Sequence, residues 1–341
     1  MITVRRCNES DYDRLIAFNE QVFPERNIEA KVLMDYRFKK REKSGYEECV
    51  IVTDEKEILG QVLFTSTYAT YKGVDYNGTF YMDTMVRADQ RKYGYGLSLM
   101  SESIKTDRQQ WSAGSTEFQI KRRLKLGMRI IGFRKLYVKL NNPLLLFVKA
   151  GSFPKNIASF FLLSKEEIMD LPDTFNRELF EFGRNKDFIQ WRFFEAPHVY
   201  YLYKSENNND YFVVRIIKKE GISMLCLCDY RCNFTEKDDF SNIIQVVKRL
   251  AQRVNIPFTI TSSSLKASDE VLKKNGFIGI ADNNVTYLFN YIRKKLFNKR
   301  PKGKDAVVFA YNMDEIIDQE RIDMRGYTLI TLADSDGELL W

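Results

Sequence analysis

The sequence lacks any long apolar run. The longest, Pro143 to Val148 and Ile157 to Leu163, are far shorter than the ~20 residues that a membrane-spanning helix needs. They predict buried strands or helices, and we expect no membrane insertion. Cysteine is also scarce, because the five cysteines are an odd number without the spacing of a disulfide framework. Nothing at the N-terminus resembles a signal peptide, so we expect a reduced, cytoplasmic protein.

The sequence has only one histidine, so histidine can contribute little as a metal ligand or as an acid–base catalyst. The single histidine, His198, has no evident partner in the sequence and is interpreted as the start of a strand rather than as a base. Three cysteines lie close together in the sequence: Cys226, Cys228 and Cys232. They could indicate a metal site, but alternate residues of a strand normally face the core, and we prefer this second interpretation. We therefore predict no metal site.

The length and charge of the chain set broad limits. A chain of 341 residues exceeds the usual size of one core, so we expect two domains, residues 1–150 and 151–341. The formal charge of +7 fits anionic partners, either phosphorylated cofactors or nucleic acid. The basic clusters Lys121–Lys125 and Arg293–Lys304 are interpreted as a solvated helix face and a basic loop.

Hydrophobic periodicity predicts a mixed α/β (α+β) fold in which one order of elements is used twice. In each half, three antiparallel strands precede a helix, a further strand, a second helix and a last strand. Lys72-Gly73 is predicted to be a turn, after which Asn77-Gly78 leads into the third strand. The strands predicted in the first half are Ile2–Arg6, Cys49–Thr53, Leu59–Tyr71, Thr79–Val86 and Met128–Leu140. Those predicted in the second half are Val199–Tyr203, Tyr211–Lys218, Ile222–Asp229 and Phe258–Thr261.

The segment Val86–Gly96 lies between a predicted strand and a predicted helix. Unpaired N–H groups at a helix start bind anions. Gly94 and Gly96 would let phosphate oxygens approach the backbone, and Arg91 and Lys92 add positive charge. The segment follows an antiparallel strand, unlike a Rossmann turn, and lacks the Gly-Lys-Ser/Thr of a P-loop. These residues predict a pyrophosphate site.

This segment resembles the signature of the GNAT acyltransferases, Gln/Arg-x-x-Gly-x-Gly/Ala, with Arg91, Gly94 and Gly96 at the matching places. The resemblance covers Ile2 to about Leu140 and, more faintly, about Asp187 to Leu288. It implies two tandem GNAT-like domains, each with a mixed, mainly antiparallel sheet flanked by helices. It also implies acetyl-CoA, or another acyl-CoA, as co-substrate.

The resemblance also implies where the cofactor binds. Met85 and Val86 would face the pantetheine arm, while the loop and helix start would hold the diphosphate. In the second half, Cys228–Phe234 occupies the equivalent strand end without a Gly-x-Gly, so we expect one CoA site and a degenerate second copy. The cofactor-binding residues predicted are Met85, Val86, Arg91, Lys92, Tyr93, Gly94, Tyr95, Gly96 and Leu97.

Acyl transfer to an amine requires loss of a proton from the amine and often an acid for the leaving thiolate. Asp83, near the end of the third strand, is the candidate for the base or for positioning the acceptor. Many GNAT members place a tyrosine acid where this chain has Arg123. We therefore consider Tyr137 as the acid, with protonation by solvent or substrate as the alternative.

The leading hypothesis is transfer of an acetyl or related acyl group to an amine on a small molecule, with an amino sugar as one candidate acceptor. A second possibility is a Fem-like transferase that uses aminoacyl-tRNA, against which the CoA signature argues. A third is a catalytically silent GNAT-fold module that binds an anionic polymer or a protein. Nucleic-acid binding is not expected, and it would show affinity that falls steeply with salt.

Overall fold

The computed structural model describes residues 1–24, 26, 28–39, 45, 48–105, 109–113, 117–173, 175–219, 221–236, 238–279, 306–311 and 327–334. Helices pack on a large mixed sheet, which confirms the predicted α/β class. None of the described helices is long and apolar enough to cross a membrane.

The first half of the chain alternates between strands and helices as its periodicity predicts. Its strands are β1 Thr3–Arg6, β2 Cys49–Thr53, β3 Ile58–Tyr71, β4 Val74–Val86, β5 Gln109–Ala113 and β6 Arg129–Leu140. Its helices are α1 Tyr12–Val22, α2 Ala30–Phe38, α3 Tyr95–Ser103 and α4 Glu117–Lys125. Strands β1 to β4 are antiparallel neighbours, and β5 then joins β4 in parallel.

The second half repeats this order. Its strands are β7 Asn156–Ile157, β8 Phe160–Leu162, β9 Phe180–Phe182, β10 Tyr201–Ser205, β11 Tyr211–Lys219, β12 Ile222–Arg231, β13 Phe258–Ser263, β14 Ile278–Gly279, β15 Ala306–Tyr311 and β16 Thr328–Leu329. Its helices are α5 Lys186–Ile189, which runs into a π-helical turn at Gln190–Phe194, α6 Asp239–Arg253 and α7 Lys266–Lys274. Antiparallel β10, β11 and β12 are followed by α6 and by β13, parallel to β12.

Strand β6 joins the two halves. Its residues 129–134 pair with β15, and its residues 135–140 pair with β13. The strand order is β1-β2-β3-β4-β5-β15-β6-β13-β12-β11-β10-β8-β7. Strand β15, from late in the chain, therefore lies between β5 and β6, and the division of the chain at residue 150 stays a prediction.

Two local predictions are wrong. Strand β4 begins at Val74, directly after the predicted turn at Lys72-Gly73, and not at Thr79, so Asn77-Gly78 lies inside the strand. A Cβ on Gly78 would lie 2.4 Å from both the Gln109 carbonyl oxygen and the Trp111 ring, so this glycine allows close approach to β5. The run Pro143–Val148 is not buried: it forms a 3-10 turn in which Phe147 is 91% exposed.

The two faces of β4 contact different helices. On one face, Tyr81 and Val86 join a core cluster with Leu99 of α3. On the other face, Met85 packs against the cluster that contains Leu15 of α1. The end of β4 therefore lies between α3 on one face and α1 on the other.

Candidate functional site

Strand β4 loses its neighbour β5 where the site begins. Within the described residues, β5 pairs with β4 from Gly78 to Tyr81, and the segment Met82–Val86 pairs with β3 alone. The Arg87 N–H donates to the Leu59 carbonyl (3.0 Å). Because peptide groups alternate along an antiparallel strand, the N–H and C=O of Val86 point away from β3, where the C=O accepts from Arg91 Nε (3.2 Å). The Val86 N–H on this edge can pair with an extended ligand.

A β-bulge in the same segment redirects Asp83. Gln61 pairs with Met85, but Leu63 pairs with Met82, so two residues of β4 face one residue of β3. Asp83 has a φ of +38°, a strained conformation for a residue with a side chain. The bulge brings the Asp83 carboxylate to the face of the sheet that α1 and α2 cover, where it meets two arginines.

The Asp83 carboxylate is fixed by these arginines. Arg26 Nη2 donates to Asp83 Oδ1 (2.8 Å), and Arg37 Nη2 lies 3.7 Å from Oδ2. All three side chains are less than 10% exposed. Burial lowers the pKa of Arg37, although Asp83 opposes this effect. Arg26 Nη1 also donates to Asn19, which is hydrogen-bonded to Gln61 of β3. The carboxylate thus has a defined orientation.

The predicted phosphate loop is an open helix start. Gly94 has a φ of +78° and directly precedes α3, and Leu97 N–H donates to the Gly94 carbonyl (2.9 Å). Among the described residues, no heavy atom lies within 4 Å of the place that a Cβ on Gly94 would take. The first N–H groups of a helix have no partner inside it, and Gly94, at the N-cap, has no side chain that could accept from them. The loop therefore fits an anionic group such as a diphosphate.

Cations border this helix start. Arg91 Nε donates to the Val86 carbonyl (3.2 Å), which ties the loop to the end of β4. A Cβ on Gly96 would lie 3.7 Å from Arg122 Nη1 of α4, so this guanidinium is next to the helix start. Sequence reasoning assigned Arg122 to a solvated helix face. Its helical spacing gave no sign of the tertiary contact.

The other predicted cofactor residues lie at the same corner. Lys92 Nζ is 5.0 Å from the ring centroid of Tyr93, which stacks on Tyr95 at 5.7 Å. Tyr93 and Leu97 are exposed. The structure therefore brings together the nine residues predicted to bind cofactor, while their contacts with a cofactor stay a prediction.

The acid candidate Tyr137 and Arg123, which stands where a tyrosine acid is expected, lie in different parts of the protein. Tyr137 is fully buried in the core around α6 and pairs with Thr261 of β13. It lies on the order of 20 Å from Asp83, counting strands and residues across the sheet, so its role as acid stays a prediction that this distance disfavours. Arg123 is buried in α4, and desolvation lowers its pKa to about 10 although Tyr81 opposes the shift. A cation thus replaces the expected tyrosine.

A small cleft of about 20 Å³, enough for one or two water molecules, opens next to Met82, on the face of β4 opposite to Tyr81. Its walls include Phe182 of β9 and Trp191 of the π-helical turn. Asp83, the next residue along β4, is not among the residues that line the cleft. No pattern in the sequence indicated this cleft, since its walls come from distant segments.

The three clustered cysteines do not converge. Cys226 and Cys228 are buried in the core with α1, whereas Cys232 is buried in the core around α6. Among the described residues, no group of three His, Cys, Asp or Glu side chains is placed to hold a metal ion. His198 lies in the irregular stretch just before β10.

Residues 3–114 match the family profile described as "Acetyltransferase (GNAT) domain". This part of the chain is therefore a GNAT domain, with an acyltransferase fold. No curated protein sequence matches the chain.

Solved structures extend the likeness of fold to most of the chain. A GCN5-related N-acetyltransferase from Anabaena variabilis ATCC 29413 is similar with a TM-score of 0.59 and 11% identity, over 92% of this chain and 74% of that one. Saccharomyces cerevisiae N-myristoyltransferase with bound myristoyl-CoA is similar with a TM-score of 0.57 and 10% identity, over 91% of this chain and 82% of that one.

Proposed function

We propose that this protein is an acyl-CoA-dependent N-acyltransferase that moves an acetyl or related acyl group to an amine of a small molecule. One observation carries the proposal. The free edge of β4 leads directly into an open, cation-bordered helix start. A GNAT domain over residues 3–114 supports the same activity.

The diphosphate of CoA would bind the first N–H groups of α3 around Gly94 and Gly96. Arg91 and Arg122 lie close enough to this helix start to add positive charge. The pantetheine arm would extend along Met82–Val86 and pair with the peptide groups that point away from β3. The acyl thioester would then lie near the bulge of β4.

Transfer requires a neutral amine to attack the thioester carbonyl. A C–N bond forms, the C–S bond breaks, and the CoA thiolate takes up a proton from solvent. Asp83 would accept the proton from the amine, directly or through water, or would orient the amine. Backbone N–H groups on the free edge of β4 can stabilise the developing oxyanion. Arg123 supplies positive charge on the α4 side of the sheet.

The second half would be a degenerate GNAT-like unit that completes the acceptor cleft. Its repeated element order supports this proposal, and so does the wall that residues 182–192 contribute to the cleft next to Met82. The fold similarity to an N-myristoyltransferase solved with myristoyl-CoA agrees with an acyl-CoA co-substrate, and the length of the acyl chain is left open.

The test is release of free CoA thiol by the purified full chain. Acetyl-CoA and a longer acyl-CoA are each mixed with a panel of primary amines, and we expect release above the rate of hydrolysis with at least one amine. A silent binding module would bind CoA without amine-dependent release. The absence of both CoA binding and thiol release would contradict the proposal.

A further inference from the structure

We propose that residues 143–149, here called the apolar loop, bind the surface of an anionic lipid bilayer. This inference goes beyond the proposed acyl transfer and does not depend on it. Binding at a bilayer surface needs no membrane-spanning helix, because apolar side chains in the headgroup region and cations beside them together hold a protein there.

The apolar loop exposes large side chains that proteins usually bury. Thirteen large apolar side chains are exposed in the described part of the chain, and four of them lie within five consecutive positions of this loop. Single exposed apolar residues are common on protein surfaces, whereas a contiguous patch indicates a binding surface. The four side chains and their exposed fractions are Leu144 (73%), Leu146 (43%), Phe147 (91%) and Val148 (47%).

Both ends of the apolar loop are tied to the segment that follows α6. Before the loop, the Asn141 N–H donates to the Pro257 carbonyl (2.7 Å). After the loop, the Gly151 N–H donates to the Val254 carbonyl (2.9 Å). A surface loop whose ends are held close together has a defined shape. Binding therefore requires little further ordering of its backbone.

The surroundings of the apolar loop are positively charged. Residues 118–165 contain eleven Lys and Arg and no Asp or Glu, although the whole chain has 46 acidic residues. Lys149 ends the loop and Lys155 follows it, and both are exposed. Arg253 is also exposed and adjoins Val254, which anchors the loop. None of these three cations forms an ion pair with a described carboxylate. They are therefore available to anionic headgroups.

The combination of apolar and basic residues favours a lipid surface over other partners. A symmetric dimer would place the same patch of both copies together, so that two surfaces of like charge would meet. An anionic polymer such as a nucleic acid would neutralise the cations but would leave Leu144, Leu146 and Val148 without an apolar partner. A bilayer surface supplies both anionic headgroups and an apolar interior.

The first experiment is flotation of the purified full chain with lipid vesicles. One set of vesicles is made of phosphatidylcholine alone, and the other is an equal mixture of phosphatidylcholine and phosphatidylglycerol. We expect roughly 100-fold tighter binding to the mixed vesicles, because each of the three cations contributes about a factor of five at an anionic surface. Equal binding to the two sets, or binding to neither, would overturn the proposal.

The second experiment compares two variants that carry the same change of charge. Phe147→Glu should weaken binding to the mixed vesicles at least about 10-fold, because it removes the most exposed apolar side chain of the loop. Val74→Glu is the matched control and should bind as wild type does.

Val74 suits this purpose because it is exposed (52%) and lies far from the apolar loop. Strands β4 and β6 run in the same direction, as their pairing through β5 and β15 shows. Val74 begins β4, whereas the loop follows the end of β6, so the two lie at opposite edges of the sheet. Wild-type binding by a folded Phe147→Glu, or an equal loss in Val74→Glu, would contradict the proposal.

A third experiment separates a lipid surface from a second copy of the chain. Phe147→Trp keeps an apolar ring, so vesicle binding should persist, and the emission of the added tryptophan should move to shorter wavelength when mixed vesicles are added. Sedimentation velocity measures the oligomeric state of wild type and Phe147→Glu without lipid. A dimer that Phe147→Glu dissociates, together with no shift in emission, would assign the patch to a second copy and overturn the proposal.

Discussion

Two pairs of parallel strands diverge in this protein. The two pairs differ in what occupies the space between the strands beyond the point of divergence. Strands β4 and β5 pair up to Tyr81, and the described pairing of β12 with β13 ends at Cys226. Each central strand also carries a bulge against its antiparallel neighbour, near the point of divergence. The same local architecture therefore occurs twice, once in each half.

The gap in the second half is closed by the protein itself. Every residue from Met224 to Arg231 is buried, and the Tyr230 hydroxyl donates to the Ser262 carbonyl (2.9 Å) across to β13. In the first half, residues 82–85 are only partly buried. We therefore expect a binding edge at the partly buried end of β4, and none beside the fully buried β12.

Each half also holds a carboxylate between two arginines. Asp229 is fully buried between Arg184 and Arg231, with Nε of Arg184 at 2.9 Å and Nη1 of Arg231 at 2.8 Å. Burial raises the pKa of Asp229, and the two arginines outweigh this effect and lower it overall. Thr331 also donates to Asp229. This network stabilises the fold. The Asp83 side chain is 9% exposed and lies in the partly buried end of β4.

The largest effect on stability should come from Asp229→Asn. Removing one partner of a buried ionic network costs about 3 kcal/mol or more, and we expect this loss in urea unfolding at pH 7. The lowered pKa of Asp229 stabilises the folded protein at pH values above about 4, the pKa of an aspartate in the unfolded chain. That stability is lost as the pH falls through the folded pKa, so the deficit of the variant should shrink in acid. An equal loss in Asp83→Asn would remove the contrast between the two carboxylates.

Asp83→Asn should act on catalysis instead. The amide keeps the shape of the carboxylate but cannot accept a proton, so turnover should fall about 100-fold while the Kd for CoA is unchanged. Steady-state thiol release and calorimetric titration with CoA measure the two quantities. Wild-type turnover in this variant would show that Asp83 is not catalytic.

A smaller effect is expected at Asp210, at the start of β11. Burial, and then the nearby Asp239, raise the pKa of Asp210 to about 6. The raised pKa makes a contribution to folding stability that is fully present below the unfolded pKa of about 3.9. This contribution is lost as the pH rises through the folded pKa of about 6. Asp210→Asn should therefore gain about 1 kcal/mol at pH 8, allowing for solvent screening, and nothing near pH 4. Thermal unfolding at the two pH values measures this, and a pH-independent gain would contradict it.

The sequence predicted those features that depend on neighbouring residues. Alternating apolar residues predicted β3 and the latter part of β4, and the glycines of the loop predicted the start of α3. The loop could be assigned because a positive φ at Gly94 and a helix start are local properties of the chain.

Features that depend on distant residues could not be predicted in this way. Arg26 and Asp83 are 57 residues apart, and nothing in either segment indicates the bulge that brings them together. The insertion of β15 between β5 and β6 is equally non-local. The exposed run Pro143–Val148 shows that apolar composition alone does not establish burial.

The central claim is that the helix start at Gly94 binds the diphosphate of CoA. Gly94→Glu places bulk and negative charge there, and Gly221→Glu is the matched control, because both glycines have positive φ and open space around a Cβ. The measurement is the rise in melting temperature on adding acetyl-CoA at about 100 times its Kd, which corresponds to about 2.7 kcal/mol. We predict the full rise in wild type and Gly221→Glu and none in Gly94→Glu; a full rise in Gly94→Glu would contradict the account.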